Sequence, residues 1–113
     1  MIKIITALGD PILNSELSKY SEFNVLCKDV QYIDGIIEIL EINSDVDFIL
    51  VSELLEGQIN FEELIKKILN INRKIKIIAI IDKKNTGIEN KLLSEGVYDI
   101  LYDGVNVFDI INL

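Results

Sequence analysis

The stretch FILVSELLEG, residues 48–57, decides the fold. Four apolar residues run into Ser52, two leucines follow Glu53, and Gly57 closes the segment. A short continuous apolar run closed by a turn residue is the pattern of a strand covered on both faces, as in a parallel sheet. The strand is predicted over Asp47–Ser52, with Gly57 in the turn that follows. Ser52 then stands at the carboxyl end of the strand, where open α/β sheets keep their ligands.

Four similar runs flank it. Ile2–Leu8 is apolar apart from one lysine and one threonine, and Gly9 breaks it. Phe23–Cys27 is a second short strand, Ile75–Ile81 a strand rich in β-branched residues, and Val97–Tyr102 a fifth. Helices are predicted between them. Asp10-Pro11 is a helix start, with aspartate as the cap and proline in the first turn, and this helix runs to about Tyr20. Over Tyr32–Asn43, Ile33, Ile36, Ile37 and Leu40 recur at helical spacing. Asn60–Ile71 is the clearest helix: Asn60 caps it, Glu63 sits at its third position, and Phe61, Leu64, Ile65, Ile68 and Leu69 form its apolar stripe. Asp82–Asn85 is a polar turn. Thr86-Gly-Ile-Glu89 matches a capping box opening a helix to about Glu95, with Gly96 as its C-cap. Asp103-Gly104 turns the chain, and Val107–Leu113 begins a last helix.

Five strands alternating with five helices predict one α/β domain: a five-stranded parallel sheet in the order 2-1-3-4-5, with helices on both faces, three layers in all. The length of 113 residues suits a single core. The last helix is short, as though the chain were the N-terminal part of something longer.

Composition narrows the function. The chain carries 11 basic and 19 acidic residues, a net charge of −8, so a phosphate backbone would be repelled and nucleic-acid binding is not expected. There is no histidine, which excludes a Ser-His-Asp triad, a Cys-His pair and the common zinc sites. No apolar run approaches a membrane span, and the N-terminus has neither a basic leader nor a cleavage site, so a cytoplasmic location is expected. The single cysteine, Cys27, has no internal partner and reads as a small buried hydrophobe. No Gly-x-x-x-x-Gly-Lys-Ser/Thr segment is present, so the chain carries no P-loop. No cofactor is expected.

On three segments the chain resembles the CheY-like response-regulator receiver domains. Ser52-Glu53-Leu54-Leu55-Glu56-Gly57 has the shape of their strand-3 motif, aspartate-x-x-leucine-proline-glycine. Gly96, Asp99 and Leu101 in EGVYDILYDG match their strand-5 motif. Leu8-Gly9-Asp10-Pro11 is similar to their Asp-Asp-x-Pro, with Asp10 and Pro11 kept. The resemblance implies a flavodoxin-like fold and a phosphoacceptor at Ser52. It also implies an acidic, Mg²⁺-holding pair at Leu8 and Gly9, a Thr/Ser at Ile81 and a Lys at Asp103. None of these roles survives in the residues present. Ser52 is a neutral alcohol without a base, and Asp103 would repel the group that a lysine holds. The chain is therefore expected to be a pseudo-receiver. Such domains are similar to those preceding the P-loop domain of CpaE-type pilus-assembly and MinD/ParA-like bacterial ATPases. The isoleucine-, lysine- and asparagine-rich composition suits an AT-rich bacterial genome.

Two functions remain. The first is a non-catalytic protein-interaction or dimerisation module, serving an ATPase domain in the same chain or a signalling output domain. Its surface would be the apolar region around strands 4 and 5: Ile88, Leu92, Leu93, Tyr98, Tyr102 and Phe108. The second is a divalent-ion or small-ligand sensor, with Asp10, Glu53, Asp82 and Asp103 converging at the carboxyl ends of the strands. Ser52 itself reads as a strand-end hydroxyl bonded to nearby backbone. A nucleotide or flavin crevice is disfavoured, because the loop after strand 1 has one glycine and an aspartate that opposes phosphate.

Overall fold

The computed structural model describes residues 2–81, 86–97, 99–102 and 110. Within them the elements run β1 (Ile2–Ala7), α1 (Pro11–Ser18), β2 (Phe23–Val25), α2 (Ile33–Ile42), β3 (Phe48–Ser52), α3 (Phe61–Ile71), β4 (Lys76–Ile81), α4 (Thr86–Ser94) and β5 (Asp99–Tyr102). The five strands form one sheet in the order β2-β1-β3-β4-β5, every neighbouring pair parallel. Thr6 lies opposite Leu50, and Ser52 opposite Ile80. This is the predicted flavodoxin-like architecture. The last helix expected from the sequence falls outside the described residues except for Ile110, which is buried.

Strand periodicity divides the core in two. Ile5, Ala7, Ile49, Val51, Ile77, Ala79 and Ile81 pack on one face with the buried stripes of α2 and α3 and with Leu92 of α4. Ile4, Leu50 and Ile78 pack on the other with Leu13 and Leu17 of α1 and with Ile110. Because successive side chains alternate across a strand, the three central strands need apolar residues at nearly every position. Thr6 shares its parity with Ile4, and Ser52 with Leu50. These two buried polar side chains therefore lie on the α1 face.

Local signals set the helix ends. The Asp10 carboxylate accepts the N–H groups of Ile12 and Leu13, and Pro11 opens α1. Asn60 accepts the N–H of Glu63 at 2.8 Å. After α4, Gly96 takes φ +92°, which lets Val97 N–H reach the Leu92 carbonyl and Gly96 N–H the Leu93 carbonyl. That pair of bonds is a Schellman closure. Two expectations shift. The second strand ends at Val25 rather than Cys27, because Asn14 takes the Cys27 carbonyl and Val30 N–H the Thr6 carbonyl, drawing the chain out of the ladder. Cys27 is accordingly half-buried rather than a core residue. The side chain of Thr86, expected in a capping box, is outside the described residues.

The loop between β3 and α3 docks on the start of α2. Ile33 N–H donates to the Glu56 carbonyl at 2.8 Å, and Gln58 N–H donates to Asp34 Oδ2 at 3.1 Å. At Gly57 the backbone runs so close that an added Cβ would sit 2.7 Å from Ile33 Cβ. We therefore expect Gly57→Ala to lower stability by about 1–3 kcal/mol through overpacking. Urea unfolding checks this, and a loss near zero would show that the contact yields freely.

Candidate functional site

The carboxyl ends of β1, β2 and β3 bring together the loops 8–10, 26–32 and 53–58. Their centre is a residue that the sequence reading passed over. Asp29, only 7% exposed, lies just beyond β2, and both of its carboxylate oxygens are engaged. Oδ1 accepts the Thr6 hydroxyl at 2.8 Å and Leu8 N–H at 3.0 Å. Oδ2 accepts Asp10 N–H at 3.0 Å and Gln31 Nε2 at 3.4 Å. Thr6 in turn accepts from Asn14 Nδ2 at 2.8 Å, and Asn14 also donates to the Cys27 carbonyl at 3.1 Å. A buried carboxylate is tolerated when its lone pairs meet donors, and four donors meet it here. Burial, and then the charge of Asp29, hold the Cys27 thiol above its ordinary pKa, so it stays protonated at neutral pH. The available signal was the position of Asp29: the one acid in LCKDVQY, in the loop that follows a strand, at the ligand end of the sheet.

Ser52 sits at the end of β3, 7% exposed. Its hydroxyl oxygen accepts Leu54 N–H at 3.2 Å, and its carbonyl accepts Leu55 N–H at 3.2 Å. It thus closes its own turn, as a strand-end hydroxyl does. Leu8 is half-buried against the α1-side core, and Gly9 is exposed at φ +67°. Ile81 is fully buried on the opposite face.

Of the four acids expected at the rim, Asp10 and Glu53 lie among the described residues. The Asp10 carboxylate caps α1 through Oδ1. Glu53 is half-buried and continues the ladder through its N–H to the Ile80 carbonyl at 3.0 Å. Asp82 and Asp103 are outside the described residues. Among the described residues no group of three or more acids, cysteines or histidines is placed to hold a metal ion.

Of the apolar surface expected around β4 and β5, one member is corrected. Leu92 is 1% exposed and belongs to the core, because its position on α4 turns it toward the sheet. Ile88 is half-buried and packs against the same core, whereas Leu93 and Tyr102 are exposed. The Tyr102 hydroxyl donates to Glu89 at 3.1 Å, and that bond is the first cause of its raised pKa. Tyr98 and Phe108 are outside the described residues. Three further large apolar side chains, Ile12, Tyr32 and Leu54, stand exposed on the loops or first helical turns at the carboxyl ends of the strands. No helix among the described residues is long and apolar enough to cross a membrane.

No protein-family model matches the chain, and no curated protein matches it in sequence. Solved structures do. RcsB from Salmonella enterica serovar Typhimurium, bound to the promoter rprA with the phosphomimetic BeF3−, superposes with a TM-score of 0.81 at 19% identity; the match covers 98% of this chain and 65% of that one. A DNA-binding response regulator of the LuxR family from Staphylococcus aureus gives 0.82 at 15% identity, over 99% and 94% of the two chains. A response regulator receiver domain protein from Clostridium thermocellum gives 0.80 at 14%, over 97% and 88%. The chain has the receiver fold, and it spans about two thirds of the RcsB chain it matches.

The two buried hydroxyls differ in what depends on them. Thr6→Val removes a donor from Asp29 and an acceptor from Asn14, and is expected to cost about 1–3 kcal/mol. Ser52→Ala removes one local acceptor and should cost less than about 1 kcal/mol. Paired urea titrations check the order, and a larger loss in the Ser52 variant would reverse the assignment of the structural centre.

Proposed function

We propose that this chain is a receiver-like domain that takes no phosphoryl group and serves as a protein-interaction or dimerisation module, regulating an ATPase or signalling output domain. The observation that carries the reading is the end of β3. There a buried neutral hydroxyl, not a carboxylate, occupies the position that accepts the phosphoryl group in the family the sequence resembles, and it is engaged with backbone. Phosphoryl transfer needs an anionic or activated nucleophile and a cation to neutralise the charge. The supporting positions hold Leu8, Gly9 and Ile81. Two of the described acids at this end of the sheet already serve the fold: Asp10 caps a helix through Oδ1, and both carboxylate oxygens of Asp29 are taken up by donors. A divalent ion at Asp29 would have to displace those donors to gain its oxygens as ligands.

With the crevice closed to that chemistry, function passes to the surface. The exposed pair Leu93 and Tyr102, on α4 and the edge strand β5, is the interaction surface in this reading. Aromatic and large aliphatic side chains are the usual anchors of an interface. In this role the domain is no enzyme and engages neither nucleic acid nor membrane.

Sedimentation velocity tests the dimerisation arm. The wild type is expected to associate, and Leu93→Glu and Tyr102→Glu to be monomeric with unchanged circular dichroism. A monomeric wild type that both variants match contradicts self-association through this face. Calorimetry tests the sensor alternative. No saturable heat is expected with Mg²⁺ or Ca²⁺, whereas micromolar binding lost in Asp10→Ala would revive the acidic rim.

A further inference from the structure

We infer that the loop between β1 and α1 forms a carboxylate-binding seat, occupied in this chain by its own Asp29. The donors suit a planar two-oxygen anion. Two converge on each oxygen: the Thr6 hydroxyl and Leu8 N–H on Oδ1, Asp10 N–H and Gln31 Nε2 on Oδ2. An ionised carboxylate offers about four lone-pair directions, so the set is complete. Two of the donors are backbone N–H groups on either side of Gly9, whose φ of +67° turns the chain so that both point to one side. Successive amides arranged around a left-handed residue form the concavity that holds anions in other proteins. The Thr6 proton is aimed as well. Its oxygen accepts from Asn14, which leaves the hydroxyl hydrogen for the carboxylate.

Among the described residues no lysine or arginine pairs with Asp29, and the ion pairs lie elsewhere: Lys3 with Asp45, Lys66 with Glu95, Lys76 with Asp99 and Lys91 with Glu62. Among the described residues the groups that meet the anion are neutral N–H and O–H dipoles, which is recognition of a carboxylate rather than an ion pair. The occupant and the donor Gln31 are tethered through β2, and the other three donors, Thr6, Leu8 and Asp10, through β1 and α1, so the seat fastens two loops that would otherwise be independent. The conformation of the β1–α1 loop, and the exposed Ile12 that follows it, then need no bound ion. The ligand class is a small monocarboxylate, with formate and acetate as the smallest members. The seat stands on its own bonds, independent of whether the surface of α4 and β5 binds a partner.

Vacating the seat tests it. The thermal midpoints of wild type, Asp29→Ala and the double variant Asp29→Ala/Thr6→Val are measured against sodium formate, with sodium chloride at equal ionic strength as the control. Formate is expected to restore at least half of the midpoint lost in Asp29→Ala, rising with concentration as a bound ligand does. The wild type should respond to the two salts alike, and the double variant should need several-fold more formate for the same recovery. Equal responses of wild type and Asp29→Ala to formate would overturn the proposal. Asp29→Asn supplies an independent reading if the alanine variant does not fold. Its amide keeps the shape but loses one acceptor, so the amide proton resonances of Leu8 and Asp10 should move upfield and the midpoint should fall. A midpoint and amide shifts equal to wild type would show that the carboxylate is not what the loop recognises.

Discussion

A parallel sheet covered on both faces leaves almost no place for polar side chains except the ends of its strands. That constraint governs this molecule. β1, β3 and β4 are apolar on both parities, so α2, α3 and α4 must cover one face, and α1 with Ile110 the other. Burial of each large aliphatic side chain contributes about 1.5–3 kcal/mol, and the central strands supply them at nearly every position. Chemistry is thereby confined to the rims, where backbone N–H and C=O groups run out of strand partners.

At the carboxyl rim the unpaired groups could be satisfied by an ion, by water or by side chains. Here a side chain does it. Asp29 collects the N–H groups of Leu8 and Asp10, and Ser52 collects Leu54 N–H. The same end of the fold that holds a charged reaction centre in the family the sequence resembles is tied together by internal hydrogen bonds. In the proposed function, a loop fastened by its own carboxylate binds no cation, and the apolar exterior carries the role.

The strand order, the helix stripes and most caps were legible in the sequence, because periodicity and capping chemistry are local. The alternation of Ile4, Ile5, Thr6 and Ala7 already contains the two-faced sheet, and Asp10-Pro11 and Asn60 mark helix starts that the structure keeps. Leu92 was misplaced onto a surface, because a short helix of low amphipathicity gives a weak indication of which side faces the sheet. Asp29 was overlooked for a deeper reason. Its role depends on contacts with Thr6 and Leu8, 23 and 21 residues away in the chain, and its position after a strand, the one local signal, is shared by solvated turn aspartates. Ser52 was read correctly as a hydroxyl bonded to nearby backbone, because the partner lies two residues ahead.

The central claim is that the end of β3 accepts no phosphoryl group. Intact-mass spectrometry of the protein after incubation with acetyl phosphate and Mg²⁺ tests it most directly. The account predicts an unchanged mass at all times and concentrations at which a receiver carrying the acceptor aspartate is fully modified. A stoichiometric phosphoryl adduct, above all one lost in Ser52→Ala, would contradict it.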